Sequence, residues 1–463
     1  MAISDTEISY STPSDLLGHP RGLAFLFATE MWERFSYYGM RALLVLYLTK
    51  YLLLSPQVEH VLFYAQVKAF YEFLVGHTLS AQPLSSLIYG TYTGLIYATP
   101  WLGGWVADTM LGQRKTAMIG IVAMAFGHFM MASEALVFPA LTLLIFGGGF
   151  FKTNTSAQVG MLYDAGDPRR DRAYSLFYVG VNLGAFIAPL VAGTLGETVG
   201  WHYGFGAAGV GMLIALVIYL WGWNSLPAEG LKGRRVKAER KPLSRAEWKS
   251  VGALMLLIVP LTLWWACYEQ QGNIIALYAD TNTDRRLIPG LIDWQIPVTW
   301  FQAFNPFMIF AFTPFLIALW SRQARSLKEP NTMYKIVIGC GLLAASYVLM
   351  AAIDWQHGAG KVNWLWVAAF FAIITAGEIY LSPISMSLYS KVAPARIVSL
   401  MFAANFAPNF LGGGLLQGWL GTFWERMSHP AFFLIMAAIG ALSGVMIALM
   451  ERPLRPYLQK SHD

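Results

Sequence analysis

Seven charged side chains stand where charge is costly: Glu30, Glu33, Arg34, Arg41, Lys152, Glu269 and Glu378 all fall inside long apolar runs. An isolated charge at the centre of a membrane helix costs about 2.5–3.5 kcal/mol even on the gentle insertion scale, so such residues need partners, water or a function. Carboxylates, guanidiniums and one amine in a poorly solvated site can do three things. They can exchange protons, pair with each other, or recognise a charged solute.

The stretch Glu30 to Arg41 concentrates this chemistry within a run that is otherwise apolar from Leu23 to Leu54. At about 100° per residue, Glu30, Glu33, Arg34, Tyr37, Tyr38 and Arg41 fall within an arc of roughly 140°, so one helix face is polar and the rest apolar. With a rise of about 1.5 Å per residue, Lys152 lies roughly 20 Å into the fourth apolar run and Glu378 about as far into the tenth. Arg41 and Glu269 lie roughly 30 Å along the first and seventh. Two ion pairs across the molecule are therefore expected, Arg41 with Glu269 and Lys152 with Glu378. The acids Glu30, Glu33, Glu269 and Glu378 outnumber the bases Arg34, Arg41 and Lys152 by one. A desolvated carboxylate without a counter-charge favours its protonated form, which points to a proton-coupled device.

The elements that position these groups follow from composition. The chain has 463 residues, of which 56% are hydrophobic and 13% charged, with a mean hydropathy of +0.49. This is an all-α integral membrane protein whose solvent is the lipid bilayer. Twelve spans are expected, near Arg21 to Leu54, Leu84 to Asp108, Lys115 to Leu136, Pro139 to Tyr163, Ala173 to Val199, Tyr203 to Leu226, Glu247 to Tyr278, Gln295 to Trp320, Tyr334 to Ile353, Asn363 to Val392, Ile397 to Trp424 and Pro430 to Met450. They form two six-helix bundles, 1–226 and 246–463, joined by a basic linker, 227–245, that carries Lys232, Arg234, Arg235, Lys237, Arg240, Lys241 and Arg245.

Arg114, Lys115, Arg169, Arg170, Arg172, the linker, Arg322, Arg325, Lys328, Lys391 and Arg396 all fall on one side. The positive-inside rule makes that side cytoplasmic, with both termini inside a cell (inner or plasma) membrane. This bias, rather than nucleic-acid binding, accounts for the net charge of +6. The N-terminus lacks the pattern of a cleaved signal peptide. The external segment from Ser55 to Pro83 spaces Val58, Leu62, Val67, Phe70, Tyr71 and Leu74 as an amphipathic helix lying on the outer surface.

The halves echo each other. Lys152, Ser156 and Leu162-Tyr163 match Glu378, Ser382 and Leu388-Tyr389, and Thr99-Pro100 matches Thr313-Pro314. Paired halves around a midplane site are a transporter architecture. Enzyme chemistry finds no support. Gly147 to Thr153 lacks the glycine before lysine and the preceding strand of a phosphate loop, and the eight histidines have no metal-ligand spacing. No nucleophile stands beside a base and an orienting acid. Cys267 and Cys340 lie in separate spans and are expected to be packing residues.

Glu30-x-x-Glu33-Arg34-Phe35-x-Tyr37-Tyr38-Gly39 resembles the first-helix signature of the proton-dependent oligopeptide transporter family of the major facilitator superfamily. Similar to that family are also Gly103-Gly104-Trp105-Val106-Ala107-Asp108 with Gly112-Gln113-Arg114, Phe177-Tyr178-x-x-Val181-Asn182-x-Gly184, Trp265-x-x-x-Glu269-Gln270, Phe301-Gln302-x-x-Asn305-Pro306 and Gly377-Glu378-x-x-x-Ser382-Pro383. Thr153, Val181 and Tyr268 depart from the family's commoner proline, isoleucine and phenylalanine.

The resemblance implies a major facilitator fold that imports di- and tripeptides with protons by alternating access. It implies no cofactor beyond the proton, no nucleic-acid partner and a functional monomer. Glu30, Glu33 and Arg34, with Glu269, would couple protons. Arg41 and Lys152 would meet the peptide carboxylate, and Glu378, Asn182 and Asn305 its amino end. Tyr37, Tyr38, Trp265, Tyr92 and Ser382 would complete the substrate wall, and the two ion pairs would gate it. The alternatives are another small solute, such as nitrate or an amino-acid derivative, and a non-transporting membrane sensor.

Overall fold

A computed structural model of the chain describes residues 15–16, 18–164, 167–227, 242–358, 360–394 and 397–458. The linker bases Lys232, Arg234, Arg235, Lys237, Arg240 and Lys241 lie outside the described residues, as does Arg396.

The first half holds α1 (Arg21–Lys50), α2 (Tyr64–Val75), α3 (Ala81–Ala98), α4 (Pro100–Val106), α5 (Gln113–Met130), α6 (Val137–Met161), α7 (Arg169–Ala188), α8 (Thr194–Thr198) and α9 (Trp201–Trp221). The second holds α10 (Arg245–Leu256), α11 (Ile258–Tyr268), α12 (Ile274–Thr281), α13 (Phe301–Arg325), α14 (Thr332–His357), α15 (Trp364–Val392), α16 (Val398–Ala404), α17 (Ala407–Phe410), α18 (Gln417–Gly421) and α19 (His429–Leu458). The runs α3–α4, α7–α8, α10–α12 and α16–α18 are each interrupted by turns, so the described long helices group into twelve runs.

Eight of the runs are long and apolar enough to span a membrane on their own. The other four have local reasons to fall short. The stripe of α1 carries Glu30, Glu33, Arg34 and Arg41, α5 opens on Gln113-Arg114-Lys115, α3 carries Gln82, Ser85, Ser86, Thr91 and Thr93, and α16–α18 is broken at 405–406.

The breaks follow residue chemistry. Pro189 opens the π-turn Pro189–Gly193, and three glycines fill the π-turn Leu411–Leu416. The 3₁₀ turn Glu269–Gly272 divides α11 from α12. Ser244 and Glu247 form a capping box at α10, while Asn331 and Asn363 cap α14 and α15 through their side chains. Several span ends differ from expectation by a few residues, three of them as follows. The third span stops at Met130 because Glu134–Leu136 forms a separate 3₁₀ turn. The eighth begins at Phe301 rather than Gln295, because Ile292–Gln295 is a strand paired with Arg286–Ile288 and Pro297 precedes the turn Val298–Trp300. The last helix continues past Met450 to Leu458.

Within the first half α1 is the central post, packing on α3, α7 and α9, and Leu43, Leu44, Tyr47 and Leu48 are fully buried. In the second half α14 packs on α15 and α19, and α11 on α19. The halves meet where α3 lies against the Leu411–Leu416 turn and α18, and where α7 lies against α13. Glycine makes the first of these contacts possible. A Cβ on Gly414 would stand 2.3 Å from the Gly94 Cα, and one on Gly90 would stand 2.5 Å from the Gly414 carbonyl oxygen.

Candidate functional site

Interhalf bonds collect on the side opposite the linker. Lys50 at the end of α1 pairs with Asp280 on α12 at 2.7 Å. Ser86 donates to Asn273 at 3.0 Å, and Ser80 to Glu425 at 2.7 Å. The Glu197 carboxylate on α8 accepts from Val298 N, Thr299 N and Thr299 Oγ1 at 2.8, 2.7 and 2.7 Å, capping the turn that leads into α13. Towards the linker the halves part around a cavity of about 540 Å³, lined by Tyr97, Trp101, Trp105, Lys152, Ser156 and Leu400 among others. Above it lies a smaller chamber of about 120 Å³ that shares Tyr97. The molecule is thus closed on one side and open on the other.

Arg41 forms the roof of the chamber. Its Nη2 pairs with Glu269 Oε2 across the halves, and its Nε donates to Tyr89 Oη at 2.9 Å. Both ionic partners are almost fully buried. Gly272 allows this clamp, since a Cβ there would meet Tyr89 Oη at 2.0 Å. On the opposite wall, Glu378 Oε2 accepts from Tyr268 Oη at 2.5 Å and from Asn305 Nδ2 at 2.8 Å. Asn305 Nδ2 also lies 3.0 Å from Thr375 Oγ1. The chamber therefore presents a guanidinium and a carboxylate held by neutral donors.

The expected pair of Lys152 with Glu378 is not formed. Lys152 Nζ sits 4.5 Å over the Tyr97 ring, facing the linker-side cavity, while Glu378 is held by residues of its own half. Equal depth along two helices fixes height but not lateral separation, and here the halves are apart at that height.

Below Arg41, Arg34 gathers the other two acids of α1. Its Nη2 donates to Glu33 Oε1 at 2.8 Å and its Nε lies 3.3 Å from Glu30 Oε1. Glu30 also accepts from Thr155 Oγ1 at 3.1 Å, one turn beyond Lys152 on α6. One guanidinium thus serves two carboxylates, and Glu378 is left with no cation bonded to it among the described residues.

The other expected residues divide. Tyr38, Asn182 and Trp265 line the chamber with Arg41, Glu269, Asn305 and Glu378. Tyr37 does not, being buried edge-on to Tyr38 at 5.0 Å with the Arg34 guanidinium 5.2 Å from its ring. Tyr92 is buried outside the lining. Ser382 also lies outside it, its carbonyl accepting from Ser385 at 3.0 Å.

Four tyrosines escaped the sequence reading as site residues: Tyr89, Tyr97, Tyr178 and Tyr268. Tyr89 and Tyr97 are eight residues apart and share a face of α3, a signal that spacing alone offered. The Tyr268 hydroxyl, standing in an apolar run, needed a partner and finds Glu378.

The model of the POT family matches residues 114–241 and 235–429 of this chain. A di-/tripeptide transporter of Lactococcus lactis subsp. cremoris is 29% identical, over 96% of this chain and 97% of its own. An uncharacterized transporter of Bacillus subtilis, YclF, is 30% identical over 99% and 100%. The crystal structure of peptide transporter POT in complex with sulfate superposes with a TM-score of 0.83 at 28% identity, covering 99% of this chain and 100% of that one.

Proposed function

The chain belongs to the POT family of membrane transporters, and we propose that it carries di- and tripeptides into the cell together with protons, by alternating access. The observation that carries this reading is the polarity of the central chamber. Arg41 stands on one wall, and Glu378, held by Tyr268 and Asn305, stands on the other. A zwitterionic chain whose two termini are fixed by opposite charges can present varied side chains to the rest of the lining, here Tyr38, Tyr178 and Trp265. Lys152 at the linker-side mouth is placed to attract the carboxylate end on entry or release.

Proton coupling fits the α1 cluster. A proton on Glu33 or Glu30 would weaken its hold on Arg34 and lower the cost of a net charge in the cavity. The Arg41–Glu269 pair gates the far side, since separating the halves there exposes both groups to water. The basic loops set the orientation, with the linker and termini cytoplasmic in the cell membrane and the monomer as the working unit.

The test is uptake of dipeptides into liposomes containing the purified protein, driven by an inward proton gradient and competed by tripeptides, amino acids and nitrate. Accumulation abolished by a protonophore and competed by tripeptides supports the reading. Competition by nitrate or single amino acids alone would replace the substrate assignment. Absence of transport by protein shown to be folded would overturn the reading altogether.

A further inference from the structure

The helix α2 has the wrong side apolar for a segment in water. Its only charged residues, Lys68 and Glu72, are turned towards the protein. Lys68 Nζ lies 5.9 Å from the Tyr64 ring, and Glu72 Oε1 accepts from Leu79 N at 2.9 Å. The inner face is closed by Tyr64 and Tyr71, both buried. The outer face carries Leu62, Phe63, Phe70, Phe73 and Leu74, between 49% and 83% exposed, with Ala65 and Ala69 between them and Gln66 as its one polar side chain. Ala69, Phe70, Phe73 and Leu74 recur at helical spacing and form one stripe, which Leu62 and Phe63 extend from the turn before the helix. The expected amphipathic pattern is thus divided, with Val67 and Tyr71 facing inward and Leu62, Phe70 and Leu74 outward.

Depth indicates what covers the stripe. Tyr71 Oη donates to Thr91 Oγ1 at 2.6 Å. Thr91 lies ten residues along α3 from Ala81, about 15 Å below its outer end. A tyrosine side chain is too short to span that distance, so the backbone of α2 lies below the end of α3. The segment is also pinned at both ends. Leu62 N donates to Ala135 O in the first half at 3.0 Å, and His77 meets the Arg426 guanidinium of the second half at 2.7 Å. It therefore lies across the seam between the halves, on the closed side. Exposed aromatic side chains also stand on the long apolar helices, such as Phe126 and Phe129 on α5.

We propose that α2 is an in-plane helix seated among the acyl chains of the leaflet opposite the linker, with Phe70, Phe73 and Leu74 as its lipid anchors. Burial of a stripe this apolar in lipid supplies the partner that neither water nor the described protein residues give it.

The experiment places single nitroxide labels on full-length protein in phospholipid nanodiscs, at Phe73→Cys and Ala69→Cys. Phe126→Cys serves as the lipid-facing reference and Glu59→Cys as the aqueous one. Cys267 and Cys340 are fully buried and do not compete for the label. Collision with molecular oxygen and with a nickel(II) chelate is read at each site. Phe73 and Ala69 are expected to match Phe126, with oxygen favoured several-fold over the chelate, while Glu59 shows the reverse. Chelate access at Phe73 and Ala69 equal to that at Glu59 overturns the proposal. Exclusion of both reagents together with label–label broadening also overturns it, by assigning the face to a second copy. If Phe126 itself is open to the chelate, the bundle's placement in the bilayer fails rather than the placement of α2 alone.

Discussion

Glu197 makes a contact that exists only while the halves are closed on the side opposite the linker. Its carboxylate accepts three hydrogen bonds from the first residues of the turn leading into α13, on the other half of the molecule. Removing a helix-capping acceptor costs about 0.5–2 kcal/mol, and losing a negative charge at a helix N-terminus costs about 0.3–1 kcal/mol more. Glu197 is half-buried, and Thr299 keeps a second acceptor in Pro189 O at 3.3 Å while Trp300 Nε1 still donates to Thr194 at 2.7 Å. The net loss for Glu197→Ala is therefore about 1–2 kcal/mol, which is about a 5- to 30-fold shift of the conformational ratio towards separation on that side. Glu197→Gln, retaining one acceptor oxygen, should shift it less. Nitroxides at the exposed positions Glu59 and Leu291, one on each half, report the separation by pulsed dipolar spectroscopy in nanodiscs. A long-distance population that grows in the alanine variant, and by less in glutamine, is expected. An unchanged distribution in both variants would refute the assignment of Glu197 as a latch.

Further expectations concern the seam, the chamber and the linker-side edge. Gly414→Ala should hinder closure of the side opposite the linker more severely than Glu197→Ala, because its Cβ meets the Gly94 backbone, which cannot rotate away; the same label pair reads it. Tyr268→Phe leaves Glu378 with Asn305 alone, so peptide KM should rise several-fold while the maximal uptake rate changes little. Glu33→Gln should abolish proton-driven uptake yet preserve peptide exchange across the membrane, and normal driven uptake in that variant would remove Glu33 from the coupling role. Asp167, in the loop before α7, is held below the usual carboxylate range by hydrogen bonds from Arg169, which also pairs with Asp15 at 2.9 Å. A depressed value means that this tether is complete above about pH 3.9 and is lost as pH falls through the lower folded-state value. Hydrogen-exchange protection of the Gly18 and His19 amides should therefore be unchanged across the neutral range and fall in Asp167→Asn.

The spans were legible because twenty-residue apolar runs have few other uses, and because proline and glycine marked several interruptions. Their ends were less so: the third span was expected to run to Leu136 and the eighth to begin at Gln295, yet a separate turn claims Glu134–Leu136 and strand pairing claims Gln295. Arg41, Glu269 and Glu378 were visible as charges in apolar runs and Asn305 through the motif it shares with the family, and the chamber gathers all four. Tyr37 looked equivalent to Tyr38 on the α1 stripe. One residue is about 100° of rotation, however, and that turns Tyr37 into the protein beneath Arg34.

The charge count shows most clearly where sequence reasoning stops. Four acids against three bases gave one surplus carboxylate, and with Lys152 assigned to Glu378 the surplus had to lie on α1. The structure distributes the charges differently. Arg34 holds both Glu30 and Glu33, Arg41 holds Glu269, and Lys152 rests on Tyr97, so Glu378 is the acid without a bonded cation. The total is a property of the sequence, but its location depends on which halves touch. If the linker side closed, Lys152 and Glu378 would be brought towards each other from opposite halves, leaving only the excess negative charge that Glu30, Glu33 and Arg34 carry in both states. A carrier in which Glu378 has a bonded cation in one state and none in the other has a physical reason to bind a proton in one state and release it in the other. That alternation requires Lys152 and Glu378 to be apart when the linker side is open, as they are here.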